Sequence, residues 1–394
     1  MRESASMDGP EFHRVAMGTI AREWGRIGIT GFGGPPAHIA LLRRLCVDRR
    51  GWLSPREFED GIAVTNLLPG PASTQLAIYC AWRLRGAVGA LIGGVCFIVP
   101  GLIVILTLST VFLASDAPSW IRGAAAGAGS AVPAVAVQAA LLLLPAGWAR
   151  TGGQRAGRAR WIAFLSVGGV AAATVGPFLV LLLIACGLTE VVAERGATAG
   201  TSGPMRMSFL PLAVTTVGGI GALAWVALKV GALSYGGGFV IVPLMQHDAV
   251  VTYHWMTAAQ FLNAVALGQV TPGPVLQTVA VVGYAAAGIG GGLLAAFVAF
   301  TPSFVFVIGG GPHFDRLRAS RNVQAFLTGA GAAAIGAIMG AAVPLALALN
   351  HLWQAALLAL AAVALLAFRR EVVSVLVGAA LLGVVAALVG LPVR

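Results

Sequence analysis

The sequence predicts an all-α polytopic membrane protein made of two inverted-topology repeats with re-entrant, broken helices, and three observations carry that prediction. Hydrophobic residues make up 58% of the 394 residues and charged residues 10%, against about 25% charge in soluble globular chains. Apolar, uncharged stretches cover residues 86–113, 123–146, 293–308, 323–349 and 372–391, most of them near or beyond the roughly 20 residues that carry a helix across a bilayer. Finally, one short passage occurs twice. A shift of 203 residues carries Gly33 onto Gly236, Trp52 onto Trp255, and Pro69-Gly70-Pro71 onto Pro272-Gly273-Pro274. The apolar stretches do not alternate as the strands of a membrane barrel would.

Composition excludes several function classes. Cys46, Cys80, Cys96 and Cys186 are scattered without paired spacing, which suggests neither a disulfide framework nor a zinc site. The six histidines form no ligand pattern, so no metal and no cofactor is expected. No phosphate loop is present, which argues against pumping by the chain's own ATP hydrolysis. The first dozen residues are polar, with Asp8, Pro10 and Glu11 where a signal peptide would be apolar. The net charge of +11 lies mostly on loops, where it encodes orientation rather than nucleic-acid binding.

Residues 1–12 read as a tail and residues 13–193 as the first repeat. Arg26 precedes the first break, Gly33-Gly34-Pro35-Pro36, and shares its register with Lys229 in the second copy. A base at membrane depth is costly and is a functional-site hypothesis by default; for Arg26, beside Arg22 and Glu23, a solvated face is the competing reading. Arg43, Arg44, Arg49, Arg50 and Arg56 then crowd one loop, whereas the matching loop of the second copy, residues 246–257, has no Lys or Arg. Basic short loops stay cytoplasmic, so the first copy's loops face in and the second copy's face out. Two copies of opposite orientation are an inverted repeat, common among secondary transporters.

Pro69-Gly70-Pro71 separates residues 55–68 from residues 72–84. Arms of that length reach roughly 21 Å, too short for a hydrocarbon core of about 30 Å. A re-entrant hairpin with Pro-Gly-Pro at its tip accounts for them. Glu57, Glu59 and Asp60 start the first arm as first-turn acids or proton-handling groups. Residues 86–113 then cross outward and residues 123–146 return to Arg150 and Arg155; every multi-arginine cluster on this path falls inside, and lone Arg122 does not. Residues 161–211, interrupted at Gly176-Pro177, hold one crossing or more; counted from 161 to 245 the number must be odd to invert the second half. Residues 194–210 read as a linker and residues 211–394 as the second repeat, ending with the C-terminus outside. Trp52 and Trp255 are expected at the interface.

Each break presents a new helix N-terminus inside the membrane, where unpaired N–H groups and the positive end of the helix dipole favour an anion. The candidate substrate-binding residues are therefore Gly33, Gly34, Pro35 and Pro36; Pro69, Gly70, Pro71, Thr74 and Gln75; Gly236, Gly237 and Gly238; and Pro272, Gly273, Pro274 and Gln277, with Thr278 beside them. Arg26 and Lys229 would balance the charge of a dianion. The competing reading is that Gly and Pro here only kink packed helices.

These motifs resemble the chromate ion transporter family in its long, two-domain form. The resemblance rests on Gly31-Phe32-Gly33-Gly34-Pro35-Pro36-Ala37-His38-Ile39, Trp52-Leu53-Ser54, Leu68 through Gln75 running on to Tyr79, and Arg83-Leu84-Arg85-Gly86. In the second copy it rests on Ser234-Tyr235-Gly236-Gly237-Gly238 and Thr271-Pro272-Gly273-Pro274. It implies a multi-pass carrier of the bacterial inner membrane that exports chromate, driven by membrane potential or a proton gradient; with the broken helices at the repeat interface, the expected mechanism is alternating access around a midplane site. A sulfate or other oxyanion carrier and a passive anion channel are the alternatives within transport. An enzyme would need convergent His, Asp and Glu residues at membrane depth, and none are found. Expected partners are the oxyanion, the lipid bilayer and, with coupling, protons; a homodimer is compatible.

Overall fold

The structure, a computed structural model, describes residues 15–66, 68–114, 116–153, 155–174, 179–198, 219–234, 241–310 and 320–393. Those residues form fourteen α-helices and no strand. The first repeat opens with α1 (Met17–Thr30) and α2 (Pro35–Arg43), which widens into a π-helical turn at Arg44–Arg49. It continues with α3 (Pro55–Thr65), α4 (Ala72–Phe112), α5 (Ser119–Ala149), α6 (Arg155–Thr174) and α7 (Leu179–Thr198). The stretch 161–211 therefore holds parts of two helices, and α7 runs to Thr198. The second repeat has α8 (Ile220–Leu233), α9 (Ile241–Gln246) with its own π-helical turn at His247–Thr252, α10 (Ala258–Val270), α11 (Thr278–Gly310), α12 (Arg321–Leu347), α13 (Leu352–Ala362) and α14 (Val372–Leu388).

The sequence duplication is a duplication of local geometry. Ser54 and Glu57 form a capping box on α3, and Thr257 and Gln260 form the same box on α10. Each reciprocal pair satisfies two of the donors that a helix start leaves open. Both α4 and α11 reverse direction within their length. Arg85 and Gly86 leave helical φ/ψ in α4, and Ala287 and Gly288 leave it in α11. A methyl group placed on Gly94 would lie 2.9 Å from Ile78, although these residues would be about 24 Å apart in a straight helix. The chain therefore folds back at Gly86, whose φ of +59° suits glycine, and residues 87–112 run alongside 72–84. In α11, Gly283 and Gly291 make the matching close approach.

Glycine also sets how the helices meet. A methyl on Gly28 would be 2.5 Å from the Phe97 carbonyl oxygen, and one on Gly231 would strike that of Ala299. The register-matched glycines of α1 and α8 are thus where each helix touches the backbone of a fold-back arm, the small-residue packing expected between membrane helices. The late helices exchange partners: α5 packs on α13 and α14, while α12 packs on α6 and α7. A methyl on Gly336 would land on the Leu165 carbonyl, and one on Gly340 on that of Gly169. These contacts advance together, so α6 and α12 run in the same direction. Gly123 meets Gly383 and Gly127 meets Ala379, so α5 and α14 run oppositely.

The outer surface is apolar, with Leu388 72% and Phe297 74% exposed. Helices α4, α5, α11 and α12 are long and apolar enough to cross a membrane, with α8, α13 and α14 shorter and also apolar. The chain is an all-α polytopic membrane protein.

Candidate functional site at the broken helices

At the first break α1 stops on Gly31, whose N–H donates to the Ile27 carbonyl at 2.7 Å. Gly33 and Gly34 follow with φ of +95° and +73°, a region that residues with a Cβ rarely enter. Pro35 and Pro36 occupy the first turn of α2, where proline's fixed φ suits the helix start. Proline has no N–H, however, and the His38 N–H is spent on the Gly34 carbonyl at 3.2 Å. The α2 terminus consequently offers fewer bare amides than the sequence reading assigned to it.

The α3–α4 hairpin is antiparallel. Gly61 faces the Tyr79 ring at 2.5 Å from an added methyl, and Arg83 pairs with Glu57 at the outer end. Partial burial pushes the Glu57 carboxyl up, but the amide and hydroxyl of Ser54 and the Arg83 guanidinium outweigh it and hold the group below its ordinary value. Pro69-Gly70-Pro71 forms the tip, with Gly70 at φ +126°. Pro71 caps α4, and its carbonyl accepts from the Thr74 and Gln75 amides, each at 3.0 Å. The amides of Ala72 and Ser73 have no acceptor among the described residues. The Gln75 side chain donates back to the Pro69 carbonyl at 2.7 Å.

The second tip, Pro272-Gly273-Pro274, leads into a short 3-10 turn, Val275–Gln277, before α11. The Gly273 N–H donates to the Gly31 carbonyl at 3.0 Å, so the tip of one repeat docks on the break of the other. Gln277 donates to the Ile98 carbonyl at 2.8 Å. Gly101, on α4, lies directly against this tip: a methyl there would strike the Pro272 carbonyl and lie 2.6 Å from Gln277 Oε1. Ser303, on α11, faces the first tip in the same way, 3.4 Å from a methyl on Gly70.

Buried polar groups without partners collect here. Among the described residues, six of eight such atoms belong to Thr74, Gln75, Ser234, Gln269, Gln277 and Ser303, all at a tip, facing one, or at the second break. Most buried polar groups are satisfied, so their concentration marks a place with unused hydrogen-bonding capacity. Beside the first tip is a cavity of about 200 Å3 lined by Pro35, Gly70, Ala72 and Arg150 of the first repeat and by Thr328 and Gly331 of the second.

The two candidate bases are elsewhere. Lys229 forms an ion pair with Asp248 of the π-helical turn, and each side chain is 12% exposed. Position 45 in the first repeat, which matches Asp248, is leucine. Arg26 is exposed and shares a cleft beside α1 with Arg44 and Arg49. The structure therefore brings neither base to the tips. Gly236, Gly237 and Gly238 lie outside the described residues. Trp52 stacks on Trp24 with centroids 6.4 Å apart, and Trp255 on Tyr253 at 4.7 Å.

Sequence reasoning passed over His38, Ser73 and Ser303. The buried His38 ring is 3.0 Å from the Gly31 carbonyl through Nε2 and 3.4 Å from Ser73 Oγ through Nδ1. Its place inside the first Gly/Pro motif was the available signal. No group of three or more His, Cys, Asp or Glu side chains suited to a metal occurs among the described residues.

A family model described as "Chromate transporter" matches residues 18–191 and 221–384, one segment in each repeat. The chain is 32% identical to a chromate transport protein of Cupriavidus metallidurans over 92% of its own length and 91% of that protein. It is 28% identical to a chromate transport protein of Pseudomonas aeruginosa, covering 82% of the chain and 79% of the relative. With a probable chromate transport protein of Synechococcus elongatus the identity is 27% over 81% and 82%. No solved structure matches the chain.

Proposed function

The chain belongs to the chromate transporter family, and from that premise we propose that it exports chromate across the bacterial inner membrane by alternating access between two inverted repeats. The observation that carries the proposal is the cavity at the first tip, walled by both repeats and lined by Gly70 and Ala72 of the tip whose Thr74 and Gln75 carry buried polar atoms without partners. A tetrahedral dianion brings acceptor oxygens, which suits the open amides of Ala72 and Ser73, the hydroxyl of Thr74 and the charge of Arg150. Gly33, Gly34, Pro35, Pro36, Pro69, Gly70 and Pro71 shape that side, and Pro272, Gly273, Pro274 and Gln277 shape the opposing tip.

Helix direction supports the inversion. Helix α6 follows α5 through a short loop and, if both cross, must run opposite to it. Helix α12, the counterpart of α5, runs with α6, and so against α5. In this reading Lys229, paired with Asp248, and Arg26 act as countercharges at a distance from the tips. The family points to a transporter rather than an enzyme.

The test is labelled-chromate uptake into inverted membrane vesicles, with and without a proton gradient. Saturable uptake that responds to the gradient is expected, and excess sulfate as competitor measures selectivity. Linear, gradient-independent flux would replace the carrier by a passive channel.

A further inference from the structure

Arg122 is a lone base that lies off the pattern of the inward-facing arginine clusters, and the structure gives it a setting. It lies in the first turn of α5, at the positive end of the helix dipole, where a cation is disfavoured. No hydrogen bond or ion pair engages it among the described residues. It lines a cavity of about 270 Å3 together with Gln260, Asn263, Asn350 and Gln354, and no acidic side chain is among the lining residues. The cavity stands in register with the one at the first tip: Ala126 and Gly129 here correspond to Thr328 and Gly331 there, through a shift of 202. Arg122 and Arg150 lie near opposite ends of α5, roughly 40 Å apart along its axis, so the two cavities face opposite ends of the helix layer.

The chemistry of the lining is selective. At the positions matching Gln260 and Asn263 the first repeat carries Glu57 and Asp60. The second repeat thus has the isosteric amides in place of both acids. Gln260 keeps the capping duty, its Oε1 accepting from the Thr257 amide at 2.8 Å, and its Nε2 is left to donate. Gln354 does the same at the start of α13, with Oε1 taking the Asn350 and His351 amides at 2.9 and 3.2 Å. Both side chains spend their acceptor on a helix terminus and keep an amide donor, and both line the cavity. A guanidinium and several amide donors, with no carboxylate side chain among the described lining residues, make a surface that water tolerates and an anion prefers.

We propose that this cavity is a second oxyanion subsite, at the mouth opposite the first-tip cavity, in which Arg122 supplies the charge and Gln260, Asn263 and Gln354 supply neutral donors. The subsite rests on the carrier reading above and adds to it where the dianion is held as it leaves or enters by that mouth. Excluding carboxylates there avoids repelling a dianion, while Gln260 retains the helix cap that Glu57 forms in the first repeat.

The experiment uses purified full-length protein reconstituted in liposomes, comparing wild type with Arg122→Gln and Asn263→Asp. Asn263→Asp is nearly isosteric and restores the acid of the first repeat, and Arg122 is exposed, so both variants are expected to fold; size-exclusion elution checks this. Chromate flux is measured with substrate on each side in turn. The expected result is a KM at least about tenfold higher from the Arg122 side in both variants, with a smaller change from the other side. Unchanged KM from both sides in folded variants overturns the subsite while leaving chromate transport standing. Absence of flux in the wild-type protein would instead overturn the carrier reading, and equilibrium binding of chromate in detergent then decides the subsite: binding weakened in both variants supports it, and equal binding overturns it.

Discussion

Breaking the Lys229–Asp248 pair separates structural from functional charge. Both side chains retain only 12% exposure, so deleting one partner strands the other in a poorly solvated place. Removing one member of a buried pair costs about 3–5 kcal/mol, whereas replacing both by apolar residues is often neutral. The residual exposure places this pair near the lower figure, about 3 kcal/mol, roughly a 150-fold change in the folding equilibrium. Lys229→Met and Asp248→Leu should each lose that much, while the double variant should return to within about 1 kcal/mol of wild type. The assay is the fraction of monodisperse protein left after graded heating in detergent. Single variants as heat-resistant as wild type would refute the buried-pair argument. The stable double variant then tests the proposed countercharge role: if Lys229 balances the dianion during transport, chromate flux should be lost in that variant. Wild-type transport in that variant would remove Lys229 from the substrate path.

Three further perturbations follow from close contacts and charge. Gly101→Ala pushes a methyl against the Pro272 carbonyl; since backbone cannot yield as a side chain does, a loss of about 1–3 kcal/mol and impaired chromate flux are expected, read by heating and vesicle uptake. Gly336→Ala collides with the Leu165 carbonyl and should lower heat resistance comparably, whereas Gly378→Ala, which meets nothing within 4 Å, should not. Glu57 has a lowered pKa when folded, so its stabilising contribution is present above the ordinary carboxylate pKa and lost as pH falls through the lowered value. Glu57→Gln, which copies Gln260 of the other repeat, should flatten heat resistance against pH in that acidic window; an unchanged profile would assign the acid sensitivity elsewhere.

Much of the local architecture was legible because it depends on residues with special backbones. Gly33, Gly34, Pro35 and the two Pro-Gly-Pro tips combine positive φ with missing N–H groups and so interrupt the helices there, and the break at Gly86 falls where the apolar run was read to begin. Arg122 stood out as an exception to the charge pattern. The exchanged packing of α5 and α12 was not legible. Their sequences are apolar and small all round, so no amphipathic stripe says which face meets which helix. The pairing of Lys229 with Asp248 was not legible, because Asp248 belongs to the π-helical turn after α9 and carries no periodic relation to Lys229. The replacement of Glu57 and Asp60 by Gln260 and Asn263 was visible in the aligned repeats, but it gained meaning only once those amides and Arg122 were found around one cavity. The concentration of unpartnered polar atoms likewise depends on contacts such as Gln277 with Ile98, remote in sequence.

The exchange of late helices has a consequence for biogenesis. Helices α6 and α7 find their main neighbour only in α12, which is completed at Leu347. At a synthesis rate of about 5–20 residues per second, the roughly 150 residues between Thr198 and Leu347 occupy the ribosome for on the order of ten seconds or more. During that interval the glycine-lined flank around Gly168 and Gly169 faces lipid or an insertion factor instead of its native mate. A nascent chain halted in the second repeat should therefore present an unfinished bundle, and membrane quality-control proteases would meet it in that state.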